Sequence, residues 1–160
     1  MMSEKGSFNK NKVPKARYAV IIVASILVML CSGAVYAWSI FVAPLQEEFG
    51  FSTAQTQMVY GLIIGIFTIA MLFVNKILRR FGPRVSALTG GVLFFAGYMA
   101  ASASNGNLWM LIAGMSILSG TGMAFGYVTV LNNLVKWFPE NKGLATGLAV
   151  SGFGGGAILL

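Results

Sequence analysis

The side chains able to do chemistry inside the apolar parts of this sequence are hydroxyls, phenols and amides. Ser25, Ser32, Tyr36 and Ser39 form one set, Gln57, Tyr60, Thr68 and Asn75 a second, and Ser116, Ser119, Tyr127 and Asn133 a third. Their chemistry is hydrogen bonding: a phenol or amide taken out of water needs a partner, and its N–H or O–H is a donor for an anion. The residues of harder chemistry are missing. There is no histidine and a single cysteine, Cys31, which excludes metal clusters, disulfide frameworks and imidazole acid/base catalysis. A lone cysteine in apolar sequence reads as a small apolar side chain. No acid interrupts the apolar runs, so a proton-coupling carboxylate is absent from them, as is the base of a membrane-embedded hydrolase. The run "GFGGGA" (152–157) has neither a preceding strand pattern nor a following Lys-Ser/Thr, which excludes a phosphate cradle.

The elements that carry these groups follow from charge spacing. The 160 residues are 57% hydrophobic and 9% charged, too apolar for a soluble domain. No Asp, Glu, Lys or Arg occurs over 18–46, 49–75, 85–135 or 143–160. Each gap holds at least one membrane span of about 20 residues, and the third holds two. The Ser/Asn/Gly cluster "SASNGN" (102–107) supplies the turn between them. The expected fold is therefore an all-α integral membrane protein, with helices near 18–43, 55–75, 84–102, 108–135 and 143–160. At about 100° per residue, Ser25, Ser32, Tyr36 and Ser39 share a sector of roughly 60°, and the second set a sector of roughly 80°. The third set repeats the device. Three polar stripes imply either a shared wet interior or hydroxyls that tie packed helices together.

With those spans the basic residues sort to one side. Lys5, Lys10, Lys12, Lys15 and Arg17 lie in an N-terminal tail (1–17), Lys76, Arg79, Arg80 and Arg84 between the second and third helices, and Lys136 and Lys142 after the fourth. The positive-inside rule makes that side the cytoplasm, and the chain a multi-pass protein of the plasma (inner) membrane with its N-terminus cytoplasmic. The net charge of +7 is then topological and implies anionic lipid headgroups rather than nucleic acid as the partner. The first apolar run exceeds the roughly 7 to 15 residues of a signal peptide and has no A-x-A site, so it is expected to stay attached.

Local punctuation fits this layout. Pro44 is expected to end the first helix, and Ser52 with Gln55 reads as a capping box opening the second. Glu47 and Glu48 read as solvated loop charges. Gly61 with Gly65, Gly122 with Gly126, and Gly143, Gly147, Ser151 and Gly155 have the small-xxx-small spacing of close helix packing.

The hairpin "NKILRRFGPR" (75–84) resembles the loop motif of the major facilitator superfamily. "YAWSIFVAPLQEEFGFS" (36–52), "SGTGMAFGY" (119–127) and "NNLVKWFPENKGLATGLAVSGFGGGA" (132–157) resemble, within it, the oxalate/formate antiporter family. In the motif, Arg80, Gly82 and Arg84 stand at matching positions. Asn75 stands where the motif has glycine and Arg79 where it has aspartate. That aspartate helps lock the cytoplasmic side against a helix N-terminus of the other half, and a cation there is repelled by the helix dipole. The resemblance implies twelve helices in two six-helix halves, of which this chain supplies the first five, with the substrate held between the halves.

What the resemblance implies for function is secondary transport of small organic anions, carboxylates such as oxalate or formate, by exchange through alternating access. It implies no cofactor and no catalytic residue. Tyr36, Tyr127, Ser32 and Asn133 are the candidate substrate-binding residues. The anion's cationic partner is expected from a missing C-terminal half, because "GAILL" is mid-membrane sequence and the chain reads as an N-terminal fragment. A truncated, nonfunctional or regulatory stump of such a transporter is the alternative reading.

Overall fold

A computed structural model describes residues 15–158, and they are helical almost throughout. The basic tail expected over 1–17 lies outside the described residues as far as residue 14, and the first helix already begins at Lys15. Three stretches are long and apolar enough to cross a membrane: Tyr18–Phe49, Thr53–Ser102 and Leu108–Trp137. Thr53–Ser102 is two spans rather than one, because Gly82 sits inside it at φ 82°, ψ 171°, a conformation no helix contains. Residues 53–81 and 83–102 are therefore separate helices. Lys142–Gly155 begins the fifth.

The boundaries show where local chemistry rules and where it yields. The capping box forms: Gln55 N–H donates to Ser52 Oγ at 3.2 Å, and Ser52 N–H donates to Gln55 Oε1 at 2.8 Å. The 102–107 turn also forms, with Asn105 and Gly106 at positive φ. There Asn107 Oδ1 accepts from the N–H groups of Trp109 and Met110 to start the fourth span. Pro44, by contrast, does not end the first span. It lies inside the helix Trp38–Phe49, which stops instead at Gly50, at φ 68°. The N–H of Gly50 donates to Gln46 O and that of Phe51 to Leu45 O, satisfying terminal carbonyls in a way a proline stop cannot. The basic hairpin is likewise tighter than expected. Helix continues through Lys76, Arg79 and Arg80, and Gly82 followed by Pro83 makes the turn.

Packing fixes the direction of each span. Ser116 Oγ donates to Val59 O at 3.1 Å and Asn132 Nδ2 to Asn75 Oδ1 at 3.2 Å, both at a separation of 57 residues. A constant separation means that 53–81 runs parallel to the fourth span. Residues 83–102 run against it, since Gly97 meets Gly114 and Ser119 while Gly90 meets Gly122 and Gly126. The first span is antiparallel to the fourth, with Tyr18 on Trp137 at one end and Ser32 against Gly126 further in. It is parallel to the fifth, with Gly152 beside Ile26 and Met29, and Gly156 beside Leu30 and Gly33. The result is an up-and-down bundle. Lys76, Arg79, Arg80, Arg84, Lys136 and Lys142 share one end, and Glu47 and Glu48 lie at the other.

Two spans depart from α geometry. A 3-10 turn, Ala34–Ala37, interrupts the first. A π-helical stretch, Ile112–Ser119, occupies the outer part of the fourth. Met29, Trp38, Val59, Ile63, Met115, Met123 and Phe153 form the core between them.

Candidate functional site

Tyr36 and Tyr127 come together on either side of one ring. Phe153, on the fifth span, has its centroid 5.3 Å from Tyr36 and 5.2 Å from Tyr127, edge-on to both. Phe67, on the second, stacks on Phe153 at 6.1 Å and meets Tyr127 edge-on at 5.7 Å. Four spans thus converge on one aromatic cluster. Edge-to-face rings at these separations are mutually attractive and hold one another in place. Tyr127 lies ten residues before Trp137 in the sequence, about 15 Å along the axis, which puts the cluster near mid-membrane. Phe153 is buried and Tyr36 is 48% exposed, so the cluster has a closed back and an open front.

Backbone contact sets the back wall. A Cβ on Gly33 would strike the carbonyl of Phe153, and a Cβ on Gly156 would lie 2.5 Å from the Gly33 carbonyl carbon. Only glycines permit the first and fifth spans to approach so closely, and that approach seats Phe153 between the two tyrosines. Phe67, Phe153 and Gly33 were not among the candidates read from polarity. Their signal, an aromatic or glycine inside apolar sequence, is one that every membrane helix carries.

Of the other two candidates, Ser32 lies one helical turn before Tyr36 and Asn133 toward the basic end of the bundle. Ser32 is buried, donates to Val28 O at 2.9 Å and faces Gly126. Asn133 lines a cleft with Ser25, Arg84 and Thr129 at the basic end of the bundle. The stripe expected on the first span is split: Ser25 and Ser32 are buried, whereas Tyr36 and Ser39 are exposed. The 3-10 turn Ala34–Ala37, which contains Tyr36, winds at roughly 120° per residue and so advances Tyr36 and Ser39 relative to the first half of the helix. Ser116 acts as a helix tie through Val59 O and is fully buried. Thr68 bonds back to Ile64 O within its own helix.

In the hairpin, Asn75 is tied to the fourth span through Asn132, whereas Lys76, Arg79, Arg80 and Arg84 are exposed. Arg80 lies over the ring of its neighbour Phe81, 5.5 Å from the centroid. Among the glycines read as packing residues, Gly122 abuts Phe94 and Gly90, Gly126 abuts Ser32 and Val28, and Gly155 abuts Leu30. Around Gly61, Gly65 and Gly147 there is open space among the described residues. The spacing alone does not say which helix face is covered. Among the described residues no three His, Cys, Asp or Glu side chains gather as a metal site would require.

The aromatic rings meet near mid-membrane, and the exposed charged side chains of the described residues stay at the ends of the bundle. The chain is 31% identical over 137 residues to an uncharacterized MFS-type transporter, YhjX, of Escherichia coli (strain K12), covering 86% of this chain and 34% of that protein. It is 28% identical over 144 residues to the oxalate:formate antiporter of Oxalobacter formigenes, covering 89% and 34% respectively. To monocarboxylate transporter 12 of Xenopus laevis it is 27% identical over 161 aligned residues, covering 100% and 35%. The chain thus spans about a third of the length of these relatives. Residues 19–160 match the Major Facilitator Superfamily, and the chain belongs to that family of membrane transporters.

Proposed function

We propose that the chain forms part of a secondary transporter that exchanges small organic anions, carboxylates such as oxalate or formate, through alternating access. The observation that carries this reading is the convergence of Tyr36 and Tyr127 on Phe153, with Tyr36 at the open front of the cluster. Two phenols held by one rigid ring are matched to a small planar carboxylate. Each O–H donates to an anionic oxygen, and the ring faces and edges cover the flat remainder of the solute. Fixing both donors before the anion arrives lowers the ordering cost of binding. The names of two relatives, an oxalate:formate antiporter and a monocarboxylate transporter, support the same chemistry.

No acid lies in the apolar spans, so this segment holds no carboxylate that could carry a co-transported proton. Exchange of one anion for another keeps charge moving in both directions without such a group. The anion's cationic partner comes, in this reading, from the rest of a longer protein packed against the open front of the cluster. Ser32, one helical turn before Tyr36 and against Gly126, supports the wall beside the tyrosines. The protein sits in the plasma (inner) membrane with its N-terminus and basic hairpin in the cytoplasm.

Counterflow in proteoliposomes tests the reading. Vesicles loaded with unlabelled oxalate should take up external labelled oxalate or formate saturably when they contain the full-length carrier. Uptake that needs no internal anion, or that a proton gradient drives equally well, would contradict exchange.

A further inference from the structure

The basic end of the bundle holds a second polar site, distinct from the aromatic cluster. A cleft of about 510 Å³ opens between the first, third and fourth spans. Its polar side chains are Ser25, Arg84, Thr129, Asn133 and Trp137, and no acidic residue lines it. Thr129 is 6% exposed, and its Oγ1 is buried without a hydrogen-bond partner. That oxygen is closed to solvent, so the polar side chains with open surface in the cleft are Arg84, Asn133 and Trp137. Arg84 stands at the same level. Gly90 meets Gly122 and Gly126 across the antiparallel pair, which puts Arg84, six residues earlier, beside Val130. The remaining wall is apolar, with Val20, Ile21, Ala24 and Val28 running about 12 Å along the first span and Ala87 facing them from the third.

We propose that this cleft binds an anionic phospholipid from the leaflet at the basic face. The Arg84 guanidinium takes the phosphate, Asn133 donates to its oxygens or to the glycerol ester, and the valine-rich wall takes the start of an acyl chain. A cation fork with added neutral donors is the chemistry that recognises phosphate. An apolar trough continuous with it fits a lipid, whereas a free anion has no use for one. Charge complementarity is one-sided here, since the cleft offers a cation and donors and nothing that repels an anion. This site does not depend on the transport reading, because the residues of the aromatic cluster take no part in it.

Native mass spectrometry and thermal unfolding of the purified full-length protein test it. The protein is titrated with phosphatidylglycerol or with phosphatidylcholine of the same acyl length. Phosphatidylglycerol should be retained preferentially and raise Tm, while Arg84→Gln or the near-isosteric Asn133→Leu should weaken that binding by about tenfold, as expected for loss of a charged or amide hydrogen-bond partner. Lys136→Gln, a basic residue outside the cleft, should leave the preference intact. Equal retention of the two lipids, retention of neither, or an undiminished preference in both cleft variants overturns the proposal. Saturable binding of inorganic phosphate alone with the same Arg84 dependence marks a soluble-anion site and overturns the lipid assignment.

Discussion

Tyr36, Tyr127 and Ser116 are all polar groups inside apolar helices, yet their surroundings assign them opposite work. Ser116 is fully buried and donates to Val59 O, so it ties two spans together. Tyr36 is 48% exposed, and its ring rests on Phe153. Removing a phenol oxygen should therefore weaken substrate and spare the fold. Tyr36→Phe and Tyr127→Phe are each expected to lower carboxylate affinity by about tenfold to a hundredfold, the equivalent of roughly 1.5 to 3 kcal/mol for a charge-assisted hydrogen bond. Membrane abundance and Tm should stay at wild-type values. Lost stability with unchanged affinity would make the phenols helix ties instead. Ser116→Ala should do the reverse, lowering stability by about 1 kcal/mol without changing affinity, as thermal unfolding and binding measured side by side would show. The polarity of all three residues was legible in the sequence. Which of them faced a neighbouring backbone and which an open front was not, because the 3-10 turn Ala34–Ala37 shifts the phase on which any stripe argument relies.

Between elements, glycine contact sets the distances. A Cβ at Gly97 would lie 2.6 Å from both Gly114 O and Ser119 N, which are backbone atoms unable to move aside cheaply. Among the described residues, Gly91 has nothing within reach. Gly97→Ala should accordingly lower stability by about 1 to 3 kcal/mol through forced separation of the third and fourth spans. Gly91→Ala should be neutral or slightly stabilising, since alanine is the better helix former. Equal Tm values for the two variants would refute that packing. Small-xxx-small spacing pointed to Gly122 and Gly126 but equally to Gly61 and Gly65, which meet nothing among the described residues. The hairpin adds a further element-scale expectation. If Arg79 faces a helix N-terminus in the complete transporter, Arg79→Asp should favour the state closed at the basic face by about 1 kcal/mol, through exchange of a repulsive for an attractive dipole contact. Thiol reagents should then reach that side of the cavity more slowly. Unchanged access would mean that Arg79 points to lipid headgroups or solvent.

For the whole molecule, the asymmetry of charge predicts orientation. The hairpin at 76–84 and both Lys136 and Lys142 should lie in the cytoplasm. A cysteine placed at Arg80 should resist an impermeant thiol reagent applied to intact cells and react once the membrane is opened, and labelling from outside would reverse the topology. What the sequence determined by itself was the solvent, the number of spans in this segment, their turns and the end of the bundle that is basic. These depend on local quantities: apolar run length, charge spacing, the Ser52 capping box and the Ser/Asn/Gly cluster at 102–107. Even there Pro44 misled, because a helix stops where its last carbonyls find donors, and Gly50 supplied them. Tertiary structure alone decided that Tyr36, Phe67, Tyr127 and Phe153 share one cluster, that Ser32 bonds back to Val28 O, and that Asn133 lines a cleft with Arg84. The physical reason is that such meetings depend on the rotation of each helix about its axis. That rotation is fixed by the closest backbone contacts, at Gly33 with Gly156 and at Gly97 with Gly114, and by the non-α turns that reset the phase, none of which has a periodic signature along the chain.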